Sequence, residues 1–447
     1  MSDGEPRALV EGQALMTVKG RPGSVGALLG AGGQGEVYHV MVEGLPFALK
    51  WYHRHYVTLD VDLRTRLERT IRRGAPTPDF LWPLDLVDIP GSGSFGYVMP
   101  LRSDAYRGMR DLIAPPPHRL NLALADRAHV CLQLANAFLE LHAGGFCYQD
   151  INFGNIFLEP ESARILICDN DNVNIDGAEA SIYGARKFMA PEVVRRERLP
   201  DSRTDLFSMA VLFFYTLLGW HPLDGQREYS AALLDPETEH RLYGTEPVFL
   251  FNPVDTSNGP VVGFHEPIVA RWLSLNAELR ALFVRSFGEG LHDPSARVLE
   301  TEWRAPLQAL IDTAFACTTC GYQHAADWRG ESLTAPAACL ACGGAPGAPD
   351  GLKVGRRMIG LSLGKRLPAE ALGLRGAAAA ALVEAHPSRP ELTGLRNLGD
   401  AAWQATLPGG QTHPVAAGQA VRLLPGLRID FGQQTGAVCA ASGDHTP

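Results

Sequence analysis

Long apolar runs, basic surplus and spread-out cysteines are all missing from this sequence. The longest apolar run, MAVLFFYTLLGW at 209–220, is too short to cross a bilayer and reads as a buried helix, so no membrane span is expected. Lys and Arg number 40 against 49 Asp and Glu, a formal net charge of −9, which argues against nucleic acid as a partner. Of eight cysteines, four form two tight pairs, which is not the pattern of a disulfide framework and points in a reducing compartment to metal. The opening MSDGEPRALVEG lacks the basic-then-apolar pattern of a secretory signal, so the expected location is cytoplasmic.

A composition of 46% hydrophobic and 20% charged residues supports a sizeable core, and 447 residues suggest two or three domains. Three textures follow one another. Residues 1–312 alternate strand-like and helix-like stretches, 313–345 hold the cysteine pairs, and 352–440 are short β-like runs separated by turn signals. The connector GGAPGAPDG at 343–351 leads into the last of these.

Within the first region, GALLGAGGQGEVYHV carries Gly30, Gly32 and Gly35, then Val37. Glycines let a backbone approach phosphates closely, but the same letters occur in dinucleotide-binding folds, where they open a helix. Here EVYHVMV alternates and is β-branched, so the glycines belong to a strand–turn–strand hairpin. FALK then places Lys50 at the end of a third strand. A lone strand-end lysine is usually a surface group; beside the glycine loop it reads as a cation for phosphates. Further on, FCYQDINFGN sets Asp150 five residues before Asn155, and ILICDNDNV is an apolar strand ending in Asp169 and Asp171.

These motifs resemble the eukaryotic-like (bacterial) Ser/Thr protein kinase superfamily over about 300 residues. The resemblance implies an α+β fold with a bilobal kinase domain, its N-lobe about 1–103 and its C-lobe about 104–312. It implies ATP and Mg2+ as cofactors and Ser/Thr of protein substrates as acceptor. Lys50 would hold the α/β-phosphates, paired with Glu68 of RTRLERTIRRG, with Asp60 and Asp62 as rivals. Gly30, Gly32, Gly35 and Val37 would cover the nucleotide. Met99 would stand near the gatekeeper, and Leu101 would supply the hinge N–H that Pro100 lacks. Asp150 would handle the acceptor hydroxyl, and Asn155 with Asp169 would hold magnesium, with Asp171 as a further carboxylate. Ala190-Pro191-Glu192, Asp205 and Arg297 match structural positions of the family, Arg297 as the buried partner of Glu192. Small-molecule kinases lack this docking segment, which favours protein as acceptor.

The departures are specific. Tyr148 and Gln149 replace the His-Arg before the catalytic Asp, removing the usual clamp on a phosphorylated loop. Asn152 stands where Ser/Thr kinases place a Lys against the γ-phosphate, with Arg186 or Lys187 as substitutes from the next loop. Two readings follow, an active kinase and an ATP-binding pseudokinase scaffold.

Cys317, Cys320, Cys339 and Cys342 form C-x2-C, eighteen residues, C-x2-C, with Gly after each pair. That spacing suits a structural Zn2+ site, a zinc ribbon over 313–345, with His324 as a bystander. Residues 352–440 weakly resemble a forkhead-associated domain, a C-terminal β-sandwich in which Arg356, Arg357 and Asn397 are the remnants of a phosphopeptide site. A generic docking sandwich is the alternative. Family context adds a cognate phosphatase and a tail-docking protein as partners, which no residue here marks.

Overall fold

The computed structural model describes residues 7–177, 183–329, 332–376 and 379–441; parts of the expected domains at 1–6, 178–182, 330–331 and 377–378 lie outside them. The chain divides into two compact units. One comprises Met1–Leu122, Val130–Pro260 and Phe283–Glu302, the other Ala123–His129, Val261–Leu282 and Trp303–Pro447.

In the first unit, strands β1 (Ala14–Met16), β2 (Pro22–Ala31), β3 (Gly35–Val42), β4 (Leu45–Tyr52), β5 (Asp85–Asp88) and β6 (Phe95–Pro100) form one antiparallel sheet in the order β1-β2-β3-β4-β6-β5. Alternation of side chains divides this sheet cleanly. Tyr38, Val40, Val42, Leu49, Trp51 and Val98 pack with Leu9 and Leu15 on one face. Val37, Ala48, Tyr52, Tyr97 and Met99 pack with Leu63, Leu67 and Leu101 on the other. The register Val37↔Lys50↔Tyr97 puts the lysine in the middle of that second face.

Helix Leu63–Arg73 covers this face with Leu63, Arg66, Leu67 and Thr70, a stripe at three- and four-residue spacings. A second helix, Ser202–Leu218, is buried along most of its length and starts at a capping box between Asp201 and Thr204. It contains most of the apolar run, and Gly219 ends it in the left-handed region. Its first turn carries Asp205, which accepts from the backbone N–H groups of Tyr148 (2.5 Å) and Gln149 (2.9 Å). His142 bridges Asp205 (3.1 Å) to Glu300. The Arg297 fork grips both oxygens of Glu192 at 2.8 Å, fully inside the unit. Strands and helices together make the mixed α+β fold expected from the sequence.

In the second unit the residues from 351 on form two antiparallel sheets. The six-stranded one runs Arg357–Gly360, Gly351–Val354, Thr435–Cys439, Arg428–Asp430, Trp403–Thr406, Thr412–Val415. The four-stranded one runs Arg366–Pro368, Ala379–His386, Arg389–Asn397, Ala420–Arg422. Leu352, Ile359, Trp403 and Ile429 from the first meet Ala381, Val383 and Leu395 from the second in a single apolar core.

Two outcomes test this packing. His142 is held up to about 9: burial alone would lower it, and the hydrogen bonds and charges of Asp205 and Glu300 outweigh that. Its ordinary value is 6.5, so the protonated bridge stabilises the fold fully below that pH and is lost as pH rises through about 9. Unfolding free energy is expected to fall by on the order of 3 kcal/mol across that window, and His142→Gln to remove the slope, in denaturant titrations. Arg297→Met strands the buried Glu192 carboxylate and is expected to cost about 3–5 kcal/mol in the same titration.

Candidate functional site

Three loops and one strand converge beneath the second face of the sheet. The β2–β3 turn, Gly32 to Gln34, closes with Gly32 N–H donating to the Gly35 carbonyl at 2.9 Å. Gly35 is obligatory, since a Cβ there would lie 2.2 Å from the Trp51 carbonyl oxygen. Around Gly30 and Gly32 a Cβ would meet nothing within 4 Å. Their small size therefore leaves space for a ligand and is not required by the packing. From the turn, Gln34 reaches down, its carbonyl accepting from Lys50 Nζ at 2.7 Å and its amide donating to the Tyr56 hydroxyl.

Lys50 is buried, and its ammonium donates to Asp171 at 2.8 Å and Asp169 at 3.3 Å. Burial alone would lower its pKa; the charges of Asp171 and Asp169 reverse this and hold it well above the ordinary lysine range. The pairing of Lys50 with Glu68 expected from sequence is absent. Glu68 sits one position past the buried stripe of its helix and bonds Arg64 at 3.2 Å. Arg66 takes the inward position instead, donating to the Asp171 carbonyl at 3.1 Å while Asp60 holds its other end at 2.5 Å. Asp62 only precedes the helix, as its N-terminal flanking residue.

The turn after the strand Ile165–Ile167 presents its two carboxylates differently. Asp169 adopts the left-handed region (φ 49°, ψ 43°) and keeps 44% of its side chain exposed. Asp171 is 1% exposed and accepts from Tyr52 at 2.6 Å and Tyr97 at 3.4 Å as well as from Lys50. Asp169 is thus the carboxylate open to a cation, and Asp171 is not.

Opposite lies the loop 148–155. Gln149 has φ 71°, a strained value for a side chain with a Cβ, and the two bonds to Asp205 hold the backbone there. Tyr148 turns inward and donates to the Cys168 carbonyl, joining this loop to the Asp169 turn. Asp150 Oδ1 accepts from Asn152 (2.8 Å) and the Ala185 N–H (3.0 Å), and Oδ2 accepts from Asn155 (3.0 Å). Burial raises the Asp150 carboxyl above its ordinary range, partly offset by these bonds, and the charge of Asp169 raises it further. Asn155 spends its amide on Asp150, which leaves its side-chain oxygen as the group suited to a cation. Asn152 brings no charge; it clamps Asp150 and the Gly154 N–H. Neither substitute cation serves the site. Lys187 bonds Asp224 at 2.7 Å and Arg186 bonds Glu239 at 3.1 Å.

Val37, Met99 and Leu101 share one apolar cluster with Ala48, beside Lys50 on the same face. A groove of about 560 Å3 runs along the outside of the segment that follows, lined by Tyr183, Met189, Val193, Pro236 and Tyr243.

In the second unit, the sulfurs of Cys317, Cys320, Cys339 and Cys342 all lie within 4.8 Å of one another. The two knuckles are alike. Gly321 (φ 74°) donates to the Cys317 carbonyl, and Gly343 (φ 72°) to that of Cys339. The Cys317–Cys342 and Cys320–Cys339 separations are 3.9 and 3.5 Å. Tetrahedral thiolate ligation with bonds of about 2.3 Å requires sulfurs about 3.8 Å apart, so the donor set fits such an ion. Backbone N–H groups at Cys320 and Thr319 bring the Cys317 thiol down to about 6. His324 Nε2 lies 3.3 Å from Cys339 Sγ. Of the tail residues singled out, Arg357 is bound to Asp312 at 2.7 and 2.9 Å, Asn397 is buried on the carbonyls of Ala401 and Val415, and Arg356 is exposed.

Sequence comparison supplies independent information. Curated relatives include CBL-interacting protein kinase 4 of Oryza sativa subsp. japonica, 27% identical over 190 residues, or 38% of this chain and 40% of that protein. Serine/threonine-protein kinase pkn2 of Myxococcus xanthus is 25% identical over 209 residues, or 44% of this chain and 24% of that protein. Serine/threonine-protein kinase SCH9 of Candida albicans is 30% identical over 98 residues, or 21% of this chain and 12% of that protein. The matched stretch thus spans less than half the length of each of these relatives. The family model of the protein kinase domain matches residues 24–248, about half of the chain, from the glycine loop past the Ala-Pro-Glu segment. The chain belongs to the protein kinase family.

Proposed function

We propose that this chain is an ATP- and Mg-dependent Ser/Thr protein kinase whose second unit holds a zinc ribbon and a docking sandwich. One observation carries the reading: Lys50, Asp169, Asn155 and Asp150, from three separate segments, come together beside an apolar cluster. In this reading the adenine lies against Val37, Met99 and Leu101, and the Gly30–Gly35 turn covers the phosphates, which Lys50 receives. Asp150 accepts the hydrogen bond of the acceptor hydroxyl and orients its oxygen, with Asn152 and Asn155 fixing both carboxylate oxygens. Asn155 and Asp169 would hold magnesium, which when bound neutralises charge on the transferring phosphoryl group. The groove beside 183–196 supports a peptide as acceptor.

Asn152 favours a second reading, the nucleotide-binding scaffold. Lys187 and Arg186, the two substitutes for the missing γ-phosphate cation, are paired with Asp224 and Glu239. Incubation of purified protein with radiolabelled ATP, magnesium and a general acceptor separates the two. Transfer is expected, lowered about a hundredfold or more in Asp150→Ala. Tight ATP binding without any transfer would establish the scaffold. Because Asp150 is raised, the acid limb of the rate profile is expected above the ordinary carboxylate range.

For the four cysteines we propose zinc, held as a structural ion. Fresh protein is expected to contain one zinc per chain by elemental analysis, and chelation to lower the melting temperature of the second unit. The two-sheet arrangement of 351–440 supports a forkhead-associated-like sandwich used for docking. With Arg357 tied to Asp312 and Asn397 bonded internally, phosphopeptide binding is not part of this proposal.

A further inference from the structure

Resting on the kinase reading above, we infer that Asp171 is the positioning residue that orients Lys50 toward the nucleotide, in the place expected of Glu68. Three observations support this. The shortest carboxylate contact of Lys50 is to Asp171 Oδ2, at 2.8 Å, and Glu68 is engaged with Arg64 on the outer side of its helix. Asp171 is itself fixed from several directions. Tyr52 and Tyr97 donate to its two oxygens from the same sheet face that carries Lys50, and Arg66 donates to its backbone carbonyl. Finally, the side chain is almost wholly sealed from solvent, so its oxygens serve these donors and not a hydrated cation.

The groups facing the ammonium are therefore Asp171, Asp169, the Gln34 carbonyl and the Tyr52 ring, whose centroid lies 5.6 Å away; Tyr97 and Tyr56 stand behind them. Of the two charged groups, Asp171 is the nearer and the more buried. In a pairing between strand and helix, a rotation of the helix separates lysine from carboxylate. In this pairing the lysine is fastened to the same turn that carries Asp169. Helix Leu63–Arg73 is coupled to this pair through Arg66 and the Asp171 carbonyl and through the packing of Leu63 and Leu67 on Tyr52 and Tyr97, with no part played by Glu68. The arrangement makes assembly of the phosphate site independent of Glu68.

Trace acetylation of the folded full-length protein with acetic anhydride at about pH 8, read at Lys50 by mass spectrometry, reports how far this amine is released from its carboxylate partner, whether or not phosphate is transferred. Asp171→Asn is expected to raise Lys50 acetylation at pH 8 at least tenfold over the unaltered protein, whereas Glu68→Gln leaves it within about twofold. Because Glu68 is at the surface, that variant retains the fold even where Asp171→Asn does not. A tenfold rise in Glu68→Gln, or no rise in folded Asp171→Asn, would overturn the inference. Protection of Lys50 by ATP in the unaltered protein tests the underlying reading separately. Loss of protection with the acetylation pattern intact would count against the nucleotide assignment and not against the Asp171–Lys50 pair. If the kinase reading holds, Asp171→Glu is expected to recover ATP-dependent turnover over Asp171→Asn, chiefly in KM for ATP, which a general loss of folded protein would not reproduce.

Discussion

The carboxylate of Asp205 is the fixed point of the loop 148–155. It receives the backbone N–H groups of two successive residues, Tyr148 and Gln149, and His142 closes it from the far side with Glu300. A buried acceptor with these donors cannot release them without leaving polar groups unpaired, at about 1–3 kcal/mol each. That constraint keeps Gln149 in its left-handed conformation and so delivers Asp150, one residue on, against Asn152, Asn155 and the Ala185 N–H. The charged His142 bridge makes the anchor stronger in acid than in base.

Above that loop the chemistry is organised around a second buried carboxylate. Lysine, two tyrosines and an arginine all converge on residue 171, and the neighbouring Asp169 remains half open. The site therefore separates two adjacent acids, one buried against Lys50 and its tyrosines and one half open to solvent. Lys187 and Arg186, the nearby cations, are paired with Asp224 and Glu239. Asn152 donates to Asp150, and in the proposed kinase reading it would orient the acceptor without neutralising charge on the phosphoryl group.

Features defined by local spacing were legible in the sequence. The glycine turn, the Asp150–Asn155 interval and the two C-x2-C knuckles each lie within a few residues, and backbone geometry alone brings their groups together. The family pattern implies a Glu on the following helix, but the phase of this helix turns Glu68 away from Lys50. Leu63, Leu67 and Thr70 already define the buried stripe, and that phase puts Arg66 inside and Glu68 outside. The partners of Asp171 were hidden for a different reason. Lys50 and Tyr52 alternate onto one face of β4 and Tyr97 pairs beside them, but nothing local shows that a turn some 120 residues away meets that face. In the tail, short β-like runs were readable between turn signals while their order across two sheets was not, because runs of three to nine residues carry little register information.

The central claim is that Lys50 and Asp169 form one nucleotide–metal site. Calorimetric titration with ATP, with and without magnesium, on the unaltered protein and on Asp169→Asn tests it most directly. The account predicts that magnesium strengthens ATP binding at least tenfold in the unaltered protein and has no effect in Asp169→Asn, whose metal-free affinity is retained. Binding indifferent to magnesium, or a magnesium effect that survives in Asp169→Asn, would contradict it.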